Sequence, residues 1–373
     1  MKKAVLIPDS FKGTLSSMEI CAIMEKAIHS HFPDCELLSI PVADGGEGSV
    51  DAFLTALGGE KIYTQVSGPY LEDMRAFYGL IGKTAVIEMA ACAGLPLVGE
   101  KKDPSRTSTY GVGQLMLHAL ENGAEKIIMG LGGSATNDGG CGAAAALGLR
   151  FLNGAGESFI PTGGTLKDIE AIDMSGLNPL VKQAEIITMC DIDNPMYGEN
   201  GAAYIFGPQK GADEKMVMEL DAGLRHLGEL IKRHLGRDYT GIPGGGAAGA
   251  MGVGMAAFFS SRLQMGIEAV LDTVGFDSLA KDADFVFTGE GKLDSQSLRG
   301  KVVIGVARRA RKLSLPVIAL VGGADRDVSG AYDEGVSAVF TINRLPQPLS
   351  ESAPYSAENL AFAMDNVLRL IKM

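Results

Sequence analysis

The sequence predicts an α/β protein made of two α/β domains, one of them inserted into the other. Strand and helix patterns alternate at both ends of the chain, which is typical of parallel sheets. The middle of the chain contains short strands joined by tight turns. Glycine is abundant, with 50 glycines in 373 residues, and it concentrates where predicted strands pass into helices. The length allows two or three domains.

The amino-terminal segment has the pattern of a βαβα unit. Residues 4–7 and 36–42 are apolar runs of strand length, each followed by a polar loop. Between them, Ser16 and Glu19 form a capping box, and the apolar residues that follow recur at helical spacing. A second helix is predicted to end at Leu57, before two glycines. Strands joined by such a crossover pair in parallel, with a right-handed connection.

The next segment breaks this pattern. Residues 61–66, 74–80 and 84–90 are short strand-like runs without a helix between them, which predicts an antiparallel insertion. The βαβ pattern resumes at about residue 280. We therefore expect both chain ends to form one sheet. The predicted domains are 1–60 with 280–373, and 61–279.

The segment 129–142 (MGLGGSATNDGGCG) carries the clearest functional pattern. A buried strand, 126–129, leads into it, and a helix of small residues begins near 142. The backbone N–H groups at such a strand–turn–helix junction bind anions, most often phosphate. Packing alone would not require the four polar side chains on this turn. The predicted phosphate-binding residues are Gly132, Gly133, Ser134 and Asn137.

Two other interpretations of this turn stay open. The glycines can serve only to pack a helix closely on a sheet. The spacing Gly130-x-Gly132-x-x-Ala135 also matches the relaxed dinucleotide fingerprint of nicotinamide-dependent dehydrogenases. That second reading expects an acidic residue at the end of the next strand, roughly 20 residues on. Only Glu157 is near, and it lies in a loop-like run.

Five loops at predicted strand ends carry acidic or amide side chains. They contain Asp9, Asp44 with Glu47, Asn137 with Asp138, Asp191 with Asn194, and Glu290 with Asp294. Any one of them can be a helix cap or a turn. Five in succession, at the carboxyl ends of strands in α/β units, indicate a site. Carboxylates that converge on an anionic ligand imply a bridging cation, and Mg²⁺ is typically held by one or two carboxylates plus phosphate oxygens.

Several cationic side chains lie near glycine turns. Lys12 and Lys292 share their loops with acidic residues, and a lysine there can reach a phosphate as a point charge. For Lys210, a phosphate contact and a solvated lysine are equally supported. Arg106 precedes a predicted helix and can clamp a carboxylate bidentately, or it is a surface arginine.

Composition excludes several classes of protein. The formal net charge of −12 makes nonspecific binding to nucleic acid or to an anionic membrane unfavourable. The five cysteines are scattered without a CxxC pair, which favours free thiols in a reducing compartment over a zinc site. The amino terminus is too soon interrupted, at Pro8, to be a signal peptide. We expect a cytoplasmic protein, with a monomer and a homodimer both open.

Seven motifs together resemble one known family, the bacterial glycerate kinases of the two-domain type. The motifs are PDSFKG (8–13), ADGGEG (43–48), GLGGSATNDGG (130–140), CDIDNP (190–195), GPQKG (207–211), PGGGAAGAMG (243–252) and TGEGKLDSQS (288–297). They occur in this order over essentially the whole chain. The resemblance implies ATP- and Mg²⁺-dependent phosphorylation of D-glycerate, with 2-phosphoglycerate favoured over 3-phosphoglycerate. It also implies a flavodoxin-like domain, a second α/β domain with a mixed sheet, and an active site in the cleft between them.

These expectations give each candidate residue a role. We expect Asp191 to be the catalytic base because it ends a buried strand, with Asp44 and Asp294 as rivals. Lys12 neutralises the transferring group. The remaining assignments are Lys292 for the nucleotide, Ser10 and Arg106 for the glycerate carboxylate, and Asp44, Glu47, Glu290 and Asp294 for the metal. A sensor that binds nucleotide or sugar acid without chemistry, and a nicotinamide-dependent dehydrogenase, are the alternative functions.

Overall fold

The computed structural model describes residues 1–42 and 45–373. The strands within these ranges are β1 (Lys3–Leu6), β2 (Glu36–Ser39), β3 (Glu60–Ser67), β4 (Asp73–Ile81), β5 (Thr84–Glu88), β6 (Lys126–Gly130), β7 (Arg150–Leu152), β8 (Ser158–Phe159), β9 (Ala171–Asp173), β10 (Glu185–Met189), β11 (Arg262–Gln264), β12 (Phe285–Leu293), β13 (Val317–Ala324) and β14 (Val336–Thr341).

The same ranges contain helices and short 3₁₀ turns. The helices are α1 (Ser17–His31), α2 (Ser49–Leu57), α3 (Ala90–Ala93), α4 (Leu95–Val98), α5 (Tyr110–Glu121), α6 (Cys141–Ala146), α7 (Pro179–Gln183), α8 (Ala202–Phe206), α9 (Glu214–Leu235), α10 (Ala247–Phe259), α11 (Gly266–Val274), α12 (Phe276–Leu279), α13 (Val302–Lys312), α14 (Ser329–Asp333), α15 (Leu349–Ser352) and α16 (Ser356–Ile371). One 3₁₀ turn, Pro208–Lys210, bears on the site.

The chain divides into two compact units. Unit 1 is Met1–Ala43, Thr55–Gly58 and Met265–Met373, and unit 2 is Asp44–Leu54 and Gly59–Gln264. The domain bounds drawn from the sequence, at residues 60 and 280, stay a prediction.

Unit 1 contains a five-stranded sheet in the order β14-β13-β12-β1-β2, and every pairing in it is parallel. Counted within the unit, this is the flavodoxin-like order 2-1-3-4-5. The prediction that both chain ends form one parallel sheet is therefore confirmed. The order reverses between β1 and β12, so the crevice at their carboxyl ends is the expected place for a ligand in this unit.

The core of unit 1 follows from the periodicity read in the sequence. Ser16 caps α1 and Glu19 completes the capping box, which fixes the start of the helix. The buried face of α1, including Ile20 and Met24, packs in one cluster with Leu360 and Met364 of α16. This layer positions β1, and with β1 the loop that follows it.

Unit 2 contains a six-stranded mixed sheet in the order β11-β10-β6-β5-β4-β3. The pairs β3/β4 and β4/β5 are antiparallel, whereas β5, β6, β10 and β11 run parallel. A small antiparallel sheet, β8-β7-β9, completes the unit. The antiparallel insertion and the mixed sheet are confirmed.

The structure differs from the sequence reading in two segments near the site. The predicted loop after Thr288 is largely strand, because β12 keeps pairing with β13 as far as Leu293, opposite Ala324. The predicted second strand ends at Ser39 rather than at residue 42. Among the described residues, no helix has the length and the apolar character that crossing a membrane requires.

Candidate functional site

The glycine-rich loop of unit 2 joins β6 to α6, and we use that name for residues 131–140. Asp138 fixes its shape. One carboxylate oxygen accepts hydrogen bonds from the backbone N–H of Thr109 at 2.8 Å, from the Thr109 hydroxyl at 2.8 Å and from the N–H of Gly142 at 3.2 Å. The other oxygen accepts from the N–H of Gly140 at 3.1 Å. Burial raises the pKa of Asp138, and these four bonds oppose that rise. Asp138 is thus an anchor of the loop.

Lys210 contacts the same loop from the 3₁₀ turn Pro208–Lys210. Its side chain is only 2% exposed. The ammonium group donates to the Ser134 hydroxyl at 2.9 Å and to the Thr136 carbonyl oxygen at 2.7 Å. Burial lowers the pKa of Lys210 to about 7, and the field of Asp138 opposes this shift. The solvated-lysine alternative is therefore wrong.

Two residues of the loop carry buried polar atoms for which the described residues supply no partner. Within the part of the chain that the structure describes, neither the Thr136 hydroxyl nor the two amide atoms of Asn137 find a hydrogen bond. Both side chains are 0% exposed. A buried polar group without a partner costs about 1–3 kcal/mol. Such groups are retained where a ligand or water satisfies them, which fits the predicted role of Asn137.

The start of the loop lies directly against residues 45–46 of the ADGGEG motif. The N–H of Gly132 donates to the carbonyl oxygen of Gly45 at 2.9 Å. A Cβ atom on Gly132 would lie 2.5 Å from the Cα of Gly46, so no side chain fits there. Gly132 is half-buried and Gly133 is exposed, whereas Ser134 is buried. The accessible part of the predicted phosphate cradle is therefore its glycine pair.

The second glycine-rich segment packs on the loop. A Cβ atom on Gly249 would lie 2.1 Å from the carbonyl oxygen of Thr136, and Gly139 donates its N–H to the carbonyl oxygen of Gly249 at 3.0 Å. Ala248, Gly249 and Ala250 all have positive φ. Left-handed backbone costs roughly 1–2 kcal/mol for a residue with a side chain. The strain at this contact indicates that close backbone packing determines the loop's position.

The segment after β10 lies at the same sheet edge as the glycine-rich loop. Met189 is in register with Gly130 on the neighbouring parallel strand, so Asp191 and Gly132 each lie two residues beyond paired positions. Asp191 is half-buried. Asn194 accepts the N–H of Gly246 on its carbonyl oxygen at 2.9 Å. The structure thus brings the predicted base and the predicted phosphate cradle to one edge of the unit 2 sheet.

Two glutamates lie in segments next to this edge of the sheet: Glu47 before α2 and Glu88 at the end of β5. Glu47 is exposed, two residues before α2 begins. Glu88 is 3% exposed and accepts the N–H of Val50 at 2.6 Å. Glu88 thereby satisfies a free N–H in the first turn of α2 and ties the ADGGEG segment to β5. Asp44, a predicted metal ligand and rival base, lies outside the described residues.

Arg106 lies in the bend before α5. Its side chain is exposed, and its guanidinium carbon lies 6.0 Å from the centroid of the Tyr70 ring. No carboxylate of residues 1–42 or 45–373 pairs with it within ion-pair distance, so its guanidinium is available to an acidic ligand.

Unit 1 presents a second set of predicted residues at its switch point. The loop after β1 is attached to β12, because the N–H of Asp9 donates to the carbonyl oxygen of Gly289 at 2.8 Å. Ser10 is half-buried and donates its N–H to the Asp9 carboxylate at 2.6 Å. Lys12 is exposed, and its backbone nitrogen would lie 3.4 Å from a Cβ on Gly291. The predicted residues of both segments therefore share this crevice.

Glu290 is the most perturbed carboxyl group of that crevice. It is 6% exposed, and within the described residues its Oε1 atom has no hydrogen-bond partner. Burial raises the pKa of Glu290 to about 7; Asp9 and Asp294 raise it further, and Ser297 and Lys301 oppose the rise. A desolvated carboxylate with an oxygen atom that no described group uses is well suited to be a ligand of a cation.

Two neighbours of Glu290 have local partners. Lys292 forms an ion pair with Asp325 at 2.8 Å, and this contact raises the pKa of Lys292. Asp294 accepts the N–H groups of Gln296 and Ser297 at 2.8 and 3.2 Å on one oxygen. Asp325 thus partly neutralises Lys292, and Asp294 keeps one oxygen for another role.

The acidic loops do not all belong to one sheet. Asp9, Glu290 and Asp294 lie at strands of unit 1, whereas Asp138 and Asp191 lie at strands of unit 2. Within the described ranges, no group of three or more acidic, histidine or cysteine side chains is arranged to hold a metal by itself.

Sequence reasoning missed Glu88 and did not place Lys210 in the site. Glu88 ends a strand and resembles any charged residue before a turn, and its partner is 38 residues away. The contact between Lys210 and Ser134 spans 76 residues. The GPQKG motif was the only indication in the sequence. It was a weak one, because lysine is rarely buried in proteins.

The geometry contradicts the dehydrogenase alternative. That reading needs the strand after α6 to extend the parallel sheet. Instead β7 joins the small antiparallel sheet, and Glu157 is exposed on the turn between β7 and β8, where its N–H donates to the Asn153 side chain at 3.0 Å. The neighbours of β6 in the sheet are β10 and β5.

Comparisons with known proteins agree with the motif order. The model of the glycerate kinase family matches residues 4–372. A glycerate kinase of Bacillus cereus is 45% identical over 374 residues, which covers 100% of this chain and 98% of that protein. The glycerate 2-kinase of Escherichia coli K12 is 45% identical over 368 residues, covering 98% and 97% of the two chains.

A solved structure agrees as well. A crystal structure from Salmonella typhimurium LT2, provisionally named glycerate kinase 2, superposes with a TM-score of 0.87 at 40% identity and covers 100% of this chain and 98% of its own. The motif order, the two sheets and these matches lead to one conclusion: the chain belongs to the glycerate kinase family.

Proposed function

We propose that this protein transfers the terminal phosphoryl group of ATP to a hydroxyl group of D-glycerate, and that 2-phosphoglycerate is the product. The observation that carries the proposal is the shared edge of the unit 2 sheet. There the glycine-rich loop, with buried polar atoms that find no partner among the described residues, follows β6, and Asp191 follows the neighbouring strand β10. An anion-binding turn next to an acidic residue is what phosphoryl transfer requires.

The glycine-rich loop serves the nucleotide. Gly133 offers its backbone N–H group, the N–H of Gly132 being bonded to Gly45, and neither glycine carries a Cβ that would keep phosphate away. Ser134 and Asn137 lie behind them, and Lys12 and Lys292 of unit 1 supply positive charge.

Asp191 accepts the proton. The glycerate hydroxyl oxygen forms a bond to the γ-phosphorus while the bond from that phosphorus to the bridging oxygen breaks, and ADP leaves with the electron pair. The hydroxyl proton passes to the Asp191 carboxylate late in the step. Asp294 and Asp44 are the alternative acceptors. Arg106 pairs with the glycerate carboxylate, and Ser10 donates to it.

Magnesium fits the acidic residues of unit 1. Glu290 has a buried oxygen atom that no described group uses, and Asp294 has one oxygen outside its local turn. We assign the metal to Glu290 and Asp294, with Glu47 and Asp44 as further candidates. A bound Mg²⁺ supplies charge neutralisation of the nucleotide phosphates.

The experiment is a product assay on the purified protein. With ATP, Mg²⁺ and D-glycerate together, we expect ADP to form in stoichiometric amounts with a phosphorylated acid. Omitting D-glycerate should abolish ADP formation above a hydrolysis background. If the protein binds ATP and D-glycerate but releases no ADP, it is a sensor and the proposed reaction is wrong.

A further inference from the structure

Lys210 is a buried cation whose contacts among the described residues are uncharged. Of the residues in the two described ranges, none places a carboxylate oxygen within ion-pair distance of its ammonium group. Its contacts are neutral oxygens, the Ser134 hydroxyl at 2.9 Å and the Thr136 carbonyl at 2.7 Å. Asp138 acts on it only through its field, because its oxygens accept four other donors.

Such an arrangement is unfavourable for packing alone. Removing an ammonium group from water costs several kcal/mol unless an opposite charge accompanies it. An apolar side chain would fill the same place at lower cost. The two hydrogen bonds offset only part of this desolvation penalty, because each hydrogen bond to a charged group contributes about 1.5–3 kcal/mol. The described residues therefore do not balance the positive charge of Lys210, and we expect a ligand to balance it.

We propose that Lys210 is a positioning residue of the nucleotide site, which holds the glycine-rich loop at Ser134 and Thr136 and whose charge is balanced by the phosphate groups bound there. This inference rests on the proposed function, which assigns the ATP phosphates to that loop. The two contacts are with Ser134 and Thr136, the residues on either side of Ala135, so they hold the loop at both positions. Thr136 and Asn137 then keep their unpaired polar atoms in place for the ligand.

The protonation state of Lys210 connects this role to pH. Burial lowers its pKa to about 7. Among the described residues, the charged groups near this segment include buried Asp138 on the loop and exposed Lys102, whose ammonium donates to the Gln209 carbonyl oxygen at 3.3 Å. An anion on the loop favours the charged form and raises the pKa again. Nucleotide binding near neutral pH is then accompanied by proton uptake.

The test compares Lys210→Met with Lys102→Met in the full-length protein. Lys102 contacts the same turn but not the loop, so it is a matched control for the loss of one lysine. Titration calorimetry with ATP, without glycerate, is expected to give a Kd at least ~10-fold higher for Lys210→Met and within ~2-fold of wild type for Lys102→Met. A Lys210→Met protein that melts like wild type and binds ATP within ~2-fold would overturn the inference.

A second measurement needs no variant and covers the case in which Lys210→Met does not fold. Calorimetry of wild-type protein at pH 7.5, in two buffers of different ionisation enthalpy, reports protons taken up per ATP bound. With a pKa of about 7 in the free protein, we expect ~0.3–0.7 protons at pH 7.5 and less at pH 6. An uptake below ~0.1 protons at pH 7.5 would overturn the inference.

Different results would contradict the proposed function and the proposed role of Lys210. Wild-type protein that produces no ADP from ATP and D-glycerate contradicts the proposed function. Wild-type protein that produces ADP, while Lys210→Met matches it in Kd for ATP and in the pH dependence of kcat/KM, contradicts only the role of Lys210. A merely structural lysine would change the melting temperature and leave proton uptake unchanged.

Discussion

Replacing Glu290 by glutamine should stabilise the folded protein at neutral and alkaline pH. Glu290 is 6% exposed, and its Oε1 atom has no hydrogen-bond partner within the described residues. Burial is the main reason that its pKa rises from 4.5 to about 7. Glutamine keeps the shape of the side chain and removes the charge that the surroundings disfavour.

The magnitude follows from the shift in pKa. Between pH 4.5 and about 7 the folded protein retains a proton on Glu290 that the unfolded chain has lost. The free energy of unfolding therefore falls as the pH rises through this window, and the whole penalty is present above about pH 7. A shift from 4.5 to about 7 corresponds to about 3 kcal/mol as an upper limit, at 1.36 kcal/mol per pKa unit.

Urea unfolding followed by far-ultraviolet circular dichroism measures this difference, since the chain has no tryptophan. The free energy of unfolding is determined for wild type and Glu290→Gln at pH 5, 6, 7 and 8. The advantage of the variant should grow by about 2–3 kcal/mol from pH 5 to pH 8. The exposed Glu170→Gln variant controls for the loss of one surface carboxylate. A difference between wild type and Glu290→Gln that is constant within ~0.5 kcal/mol over this range would refute the reasoning.

Three further variants test other parts of the site. Asp191→Asn should lower kcat at least ~100-fold, whereas Asp193→Asn, which alters an exposed neighbour, should retain it; equal kcat values for the two would remove Asp191 as the base. Arg106→Ala should raise the KM for D-glycerate ~10-fold or more with little change in the KM for ATP, and a KM for D-glycerate within twofold of wild type would contradict that contact. Gly249→Ala should lower the free energy of unfolding by about 2–5 kcal/mol, because its Cβ would lie 2.1 Å from a carbonyl oxygen of the glycine-rich loop. Gly236→Ala also has positive φ but meets nothing within 4 Å, so it should lose only about 1 kcal/mol, and equal losses in urea unfolding would refute the packing argument.

Much of the fold could be predicted because local patterns and global structure agree. The capping box of Ser16 and Glu19 marks the start of α1, and the apolar stripe after it faces the core. The strand runs near 61–66 and 74–80 pair as an antiparallel hairpin. These elements depend on neighbours in sequence and on periodicity, which a single sequence displays.

The extension of β12 could not be predicted in this way. Its last residues include glycine, glutamate and lysine, which are poor strand formers. They pair because β13 runs beside them and continues in register, with Lys292 opposite Gly323. The burial of Glu290 depends on this long-range pairing, so the sequence could not indicate its raised pKa. The sequence did predict Glu290 as one of the acidic candidates.

The glycine-rich loop shows the same limit. Its composition predicted an anion site, but not that Asn137 and Asp138 would be 0% exposed. Their surroundings come from distant segments: Thr109 for Asp138, and Gly249 against the backbone of Asn137. The sequence identifies the polar side chains of the loop, but it does not indicate which of them point into the protein interior.

The proposed reaction transfers a phosphoryl group from ATP to the middle hydroxyl of D-glycerate. Phosphorus and carbon NMR spectra of the product, formed by wild-type protein from ATP, Mg²⁺ and carbon-labelled D-glycerate, test this directly. We predict a new phosphate monoester signal coupled to the second carbon, with ADP in equal amount. Coupling to the third carbon would contradict the predicted position, and the absence of any phosphate ester in a folded, ATP-binding protein would contradict the central claim.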